Sequence, residues 1–301
     1  MSFLNKAITS TLHHLPKWFA KPFAKPYVAG ETIDEALKQI RLLNKKGFCA
    51  TIDILGEHTK DPNEAKQIAL DYCLLYKNIS NSHLDCNISI KPTHIGLSIS
   101  YNQAINNLET ILDSAKKHNN FLRLDMESSK YTEQTIQMYR YCKSKYENVG
   151  IVIQSYLIRS QNDIKLLANK NFNSRICKGI YKEPTSLALQ DHLEIKNNFL
   201  LLAKLMAKKG AYSGLATHDQ DIIDQWLYWA ENNNIPKDQF EFQVLYGVPM
   251  QGRLESLIEN GFKVRVYVPF GPNWFDYSIR RLKENPSIAH YVLKNFFRSK
   301  N

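Results

Sequence analysis

Tyr277, Arg280, Arg281 and Glu284 recur at i, i+3, i+4 and i+7 near the end of the chain. On a helix, residues three and four apart share a face. This stretch would therefore present a phenol, two guanidinium groups and a carboxylate together. Adjacent guanidinium forks suit a carboxylate or phosphate ligand. Taken alone, the same pattern also describes a solvated helix face with an ordinary Arg280–Glu284 pair worth about 0.3 kcal/mol.

A second set of polar residues stands at the ends of short apolar runs. These are Lys91, Asp125-Met-Glu127, Gln154, Lys178, and Thr217 with His218, while Arg175 and Tyr267 sit within such runs. Lys91, Arg175, Lys178, Arg280 and Arg281 make the combined set cationic, which points to an anionic ligand. Each residue also has a plain structural reading. Lys91 and Asp125 could belong to a structural ion pair, Gln154 could be a satisfied core amide, His218 a helix cap and Met126 core.

Eight strand–helix units would position them. The apolar runs are Phe48–Leu55, Asn87–Lys91, Phe121–Glu127, Val149–Gln154, Ser174–Lys178, Ser213–Thr217, Phe240–Leu245 and Val264–Val268. Helical patterns follow at 63–77, 104–117, 132–145, 162–169, 186–208, 220–232 and 253–260, and the Tyr277 stretch follows the last run. Eight such units predict an α/β fold, a (β/α)8 TIM-like barrel. In that fold the C-terminal strand ends build the active site. A doubly wound open sheet is the alternative, but no unit carries GxGxxG at a strand–helix junction. Residues 1–45 read as a helical arm and 46–301 as one barrel domain. Thr32-Ile-Asp-Glu35 is a capping box that starts the arm's last helix.

Composition narrows the function classes. The 301 residues are 44% hydrophobic and 23% charged, with a formal net charge of +10. The longest apolar run is too short to span a bilayer, and no signal-peptide pattern opens the chain. A cytoplasmic protein is expected. Five cysteines form no CxxC pair and nine histidines form no HExxH, so neither a disulfide framework nor a metal site is expected. No nucleic-acid module appears. The first thirty residues combine Lys6, Lys17, Lys21 and Lys25 with Trp18, Phe19, Phe23 and Tyr27 and carry no acid. Such an arm suits either the surface of the cell membrane or packing on the domain.

Seven stretches in order resemble the monofunctional bacterial proline dehydrogenases and the catalytic barrel of the bifunctional proline utilisation proteins. They are Arg123-Leu-Asp-Met-Glu127, Gly150-Ile-Val-Ile-Gln-Ser-Tyr156, Arg175-Ile-Cys-Lys-Gly179, Leu215-Ala-Thr-His218, Glu241-Phe-Gln-Val-Leu-Tyr-Gly247, Arg265-Val-Tyr-Val-Pro269 and Arg280-Arg-Leu-Lys-Glu-Asn285. The resemblance implies a distorted barrel whose last helix lies over the mouth. It implies noncovalent FAD, oxidation of L-proline to Δ1-pyrroline-5-carboxylate, and a quinone as electron acceptor. Carried over residue by residue, Lys91, Arg280 and Arg281 would hold the substrate carboxylate, and Glu284 would position the arginines. Leu245, Tyr267 and Tyr277 would pack on the ring. Asp125 would orient Lys91 and the tyrosine wall. Arg175 would face the flavin N5. Met126 and Gln154 would contact the isoalloxazine, Lys178, Gly179 and Ile180 the ribityl-pyrophosphate, and Thr217 and His218 the adenosine.

Pro92, Ser128 and Ile180 depart from the usual pattern of relatives without removing any of these charges. A tyrosine at 267 favours proline over hydroxyproline, whose dehydrogenases carry a smaller residue there. Two readings outside this family are a flavin-free barrel lyase using Lys91 or Lys178 as a Schiff base, and a basic binding scaffold.

Overall fold

A computed structural model describes residues 26–275, 277 and 278. Eight parallel strands pair in sequence order and close into a barrel, with β8 bonded to β1. The strands are β1 (Cys49–Ile54), β2 (Cys86–Ile90), β3 (Leu122–Leu124), β4 (Val149–Gln154), β5 (Asn173–Cys177), β6 (Tyr212–Ala216), β7 (Phe240–Leu245) and β8 (Val264–Phe270). The helices are α1 (Ile33–Lys45), α2 (Pro62–Asn81), α3 (Tyr101–Lys117), α4 (Thr132–Lys145), α5 (Ser160–Leu167), α6 (His192–Lys208), α7 (Gln220–Asn232) and α8 (Arg253–Glu259). The predicted barrel is therefore the observed one.

Sequence dictates most element starts. Thr32 caps α1 in the expected box with Glu35. Asp61 caps α2 ahead of Pro62 at the first helical position, where a missing N–H costs nothing. Asp191 accepts from the amides of Leu193 and Glu194 and starts α6. The expected helix from 186 is thus corrected: α6 begins six residues later, because a carboxylate cap there competes successfully with the apolar pattern upstream.

Strands alternate between two environments. One set of positions, including Ile52, Ile88, Leu124, Ile151, Ile176, Leu215, Phe242 and Val266, belongs to the apolar core. Trp226 of α7 is fully buried against Phe240, at 5.4 Å and edge to face. Helix α1 joins the same core through Ala36, Leu37 and Ile40.

The other set faces the barrel axis, and it is polar. Arg123 donates to the Ile151 and Asn173 carbonyls and to the Asn173 side chain. Arg265 donates to the Ala50 carbonyl and to Glu241. These groups are buried and close on one another, as buried charges must.

The chain enters the barrel mouth at Pro26. Residues 26–30 run beside the exit of β8, with Ala29 N–H donating to the Pro269 carbonyl and Gly271 N–H to that of Gly30. Gly247, at φ +77°, lies so close to Pro26 that a Cβ would collide with its carbonyl.

Candidate active site

A cavity of about 760 Å³ opens at the C-terminal strand ends, within the range of small-molecule and cofactor sites. Lys91, Asp125, Met126, Gln154, Arg175, Lys178, Gly179, Ile180, His218, Leu245, Tyr267 and Tyr277 all line it. Of the other sequence-selected residues, Thr217 is buried outside the lining, and its hydroxyl accepts from the Asp219 N–H at 3.1 Å. Arg280, Arg281 and Glu284 lie outside the described residues, as do 1–25 of the N-terminal arm.

Lys91 directly follows β2 and pairs with Asp53 of β1. The Tyr72 hydroxyl donates to the other Asp53 oxygen at 3.0 Å. Burial opposes the lysine's charge, but Asp53 and Asp125 outweigh it and raise its pKa above the ordinary value. The ammonium is thus held charged. Asp125 does not hydrogen-bond Lys91; the direct partner is Asp53.

Asp125 instead gathers three donors. Ser89 Oγ is at 2.6 Å, Arg175 Nη1 at 2.8 Å and the Tyr267 hydroxyl at 2.9 Å. Burial and the Asp125 charge push the Tyr267 phenol well above its usual pKa, so it stays a donor. Arg175 stacks over the Tyr267 ring at 4.8 Å. Its Nε donates to Gln243 Oε1 at 2.6 Å. Its Nη2 is buried without a partner among the described residues. Gln154 shows the same pattern, with Nε2 donating to the Met126 carbonyl at 3.2 Å while Oε1 has none.

On the opposite wall, Gly179 has φ +108° and packs so tightly on Tyr156 that a Cβ would strike its ring. Lys178 beside it pairs with Asp219 at 2.8 Å. His218 Nε2 accepts from the Leu245 N–H at 3.0 Å and ties β6 to β7. It does not cap α7; Asp219 does. Glu127 accepts from Thr93 N–H at 2.8 Å and from its hydroxyl at 2.5 Å. Burial still lifts its carboxyl to about 7. Ile180 is half exposed at the rim.

This geometry combines a fixed ammonium, a buried guanidinium with one NH2 group unpartnered among the described residues and an aromatic wall. It can hold a small carboxylate over a planar group that gains negative charge. Residues 36–293 match the family model described as proline dehydrogenase, a span that includes Arg280, Arg281 and Glu284. The chain belongs to the proline dehydrogenase family. It is 40% identical to "Proline dehydrogenase 1" of Bacillus subtilis subsp. natto, over 93% of this chain and 94% of the relative. It is 33% identical to "Proline dehydrogenase" of Deinococcus radiodurans, over 91% of this chain and 90% of that one. Among solved structures it resembles proline utilization A from Bdellovibrio bacteriovorus inactivated by N-propargylglycine. The TM-score is 0.81 at 26% identity, covering 87% of this chain and 32% of that one, so this chain spans about a third of that protein.

Within this proline dehydrogenase fold, sequence reasoning missed Asp53, Ser89 and Gln243. Asp53 had a signal: a lone carboxylate inside the apolar run Ala-Thr-Ile-Asp-Ile-Leu needs a buried partner. Ser89 and Gln243 carry no such mark, since a hydroxyl or an amide within a strand has many ordinary uses.

Proposed function

We propose that the protein oxidises L-proline to Δ1-pyrroline-5-carboxylate with FAD bound in the barrel mouth, passing electrons to a quinone. The observation that carries this is the Lys91–Asp53 and Arg175–Asp125–Tyr267 constellation at the strand ends, within a chain of this family.

The cavity fits a flavin. Arg175 and Gln154 line it, and Arg175 Nη2 and Gln154 Oε1 are buried polar atoms without partners among the described residues. Gly179 lines the cavity beside Lys178, its backbone packed on Tyr156 where a side chain would not fit. Lys178 supplies a cation for the pyrophosphate, with Asp219 as its resting partner. FAD held there would supply the two-electron acceptor for oxidation of the C5–N bond of proline to C5=N, with the ring-nitrogen proton passing to water. Lys91 binds the substrate carboxylate, joined by Arg280 and Arg281, which Glu284 positions. Tyr267, Tyr277 and Leu245 enclose the ring, and holding it in one orientation supplies much of the rate. Arg175 holds a donor where charge accumulates on the cofactor. His218 and Thr217 serve the adenosine end, His218 from the cavity wall and Thr217 through the Asp219 turn.

Proline is favoured over hydroxyproline because the Tyr267 hydroxyl is committed to Asp125 at 2.9 Å, which keeps the ring fixed on the wall. A Schiff-base lyase is disfavoured. Such a lysine needs a depressed pKa, whereas Lys91 is held charged by its carboxylate partners.

Among the described residues no helix is long and apolar enough to cross a membrane. The quinone would then be met at the inner face of the cell membrane, with the basic-aromatic N-terminal arm as the contact. The test is optical. Purified protein given FAD should show a flavin spectrum, and anaerobic L-proline should bleach it. A protein that takes up no flavin, or a bound flavin that proline leaves oxidised, would overturn the reading.

A further inference from the structure

Gln243 and Glu241 face the barrel interior from β7, and the roles above leave them unused. Strand register sets Arg175 of β5 beside Gly214 of β6, and Gly214 beside Glu241. A Cβ on Gly214 would collide with Gln243 Nε2. Gly214 is not among the residues with positive φ, so the glycine is there for room rather than for backbone freedom. Through that gap the Gln243 amide crosses β6 and meets Arg175 Nε at 2.6 Å.

An amide could sit there in two orientations. The far side decides. Gln243 Nε2 donates to Glu241 Oε1 at 2.6 Å, and a carboxylate only accepts. Glu241 also accepts from Arg265 Nε at 2.7 Å and the Tyr212 hydroxyl at 2.9 Å. Although burial works against its charge, these partners hold its carboxyl below the ordinary range. A reversed amide would set NH2 against guanidinium N–H and carbonyl oxygen against carboxylate. The oxygen therefore points to Arg175.

Arg175 is thus held at Nε by Gln243 and at Nη1 by Asp125, and stacked on Tyr267. Its Nη2 is buried without a partner among the described residues, and the side chain lines the cavity. We propose that Gln243, oriented by Glu241 through the gap at Gly214, is a positioning residue that fixes Arg175 and so sets the reduction potential of the bound flavin. The inference rests on the flavin reading above. A donor fixed before charge develops stabilises that charge without reorganising, so a loosened guanidinium should favour the reduced cofactor less.

Two variants test this from opposite sides. Gln243→Leu removes the acceptor at similar size. Gly214→Ala keeps every polar group and displaces the amide. Each is loaded with FAD, and the two-electron midpoint potential is read by equilibration with reference dyes. Both should bind reduced flavin about tenfold more weakly relative to oxidised flavin, a fall of about 30 mV, while retaining affinity for oxidised FAD. An unchanged potential in folded variants would assign Gln243 to packing alone and overturn the proposal. If neither variant folds, the wild-type apoprotein decides by nitrogen-15 NMR. The Arg175 Nε–H should be protected from solvent exchange, and rapid exchange would overturn the proposal. A wild type that binds no FAD but keeps a protected Nε–H would sink the flavin reading, and the potential-setting role with it, while leaving the hold on Arg175 intact.

Discussion

Arg265 and Arg175 sit in the same barrel interior, yet their surroundings differ. Arg265, near the strand starts, donates to Glu241 and the Ala50 carbonyl and has no buried nitrogen left over among the described residues. Arg175, nearer the mouth, lines the cavity and has Gln243, Asp125 and Ser89 as partners, but its buried Nη2 has none among the described residues. A fully paired buried cation has satisfied its neighbours and can do nothing more. A cation with one unused donor in a cavity carries unspent binding capacity. The lower arginine is spent on its neighbours; the upper one, on the function proposed above, is kept for a ligand.

The contrast can be broken most directly at Arg265. Arg265→Met would leave the buried Glu241 without the cation that keeps it ionised, and should cost about 3–5 kcal/mol in urea unfolding of the apoprotein. Arg175→Met should show the opposite balance. Asp125 would retain Ser89, Tyr267 and the nearby Lys91 charge, so stability should fall less. Proline turnover should fall about 100–1000-fold, as for loss of an oxyanion donor. Equal stability losses in the two variants would erase the distinction.

Glu127 sharpens the same point, because it is a buried mouth residue with two hydrogen bonds from Thr93 and no ion pair among the described residues. Its folded pKa of about 7 lies above the ordinary 4.5, so the folded state binds the proton more tightly. Its favourable contribution is complete below about pH 4.5 and is lost as pH rises towards 7. Unfolding of wild type against Glu127→Gln across that window should show a relative loss of about 3 kcal/mol at most; a flat difference would refute it. Thr32→Ala sits outside both arginine layers. It should cost about 1 kcal/mol through the lost cap of α1, with unchanged proline turnover in a steady-state assay.

The barrel was legible because periodicity is a property of neighbours in sequence. Runs such as Val149–Gln154 and Phe240–Leu245 coincide with β4 and β7, and Thr132–Lys145 with α4. The strand-end residues were legible because a barrel puts its chemistry there. What stayed hidden was partnership. Lys91 pairs with Asp53 rather than Asp125 although β2 lies between β1 and β3 and neighbours both, and no local pattern encodes that choice. The glycine at 214 is equally mute in sequence. Its reason is a side chain on the next strand, at Gln243 of β7.

The seam at the mouth has a consequence for how the protein is made. Residues 26–30 are stitched to Pro269 and Gly271, and β1 pairs with β8. The earliest described residues must therefore wait for almost the last. Such long-range closure is slow to form. A ribosome-bound chain that has emerged only through β7 would hold Lys91, Asp125 and Arg175 but not Tyr267 or the seam. The pocket is thus completed only after β8 has been made, and until then its charged interior stays open to water.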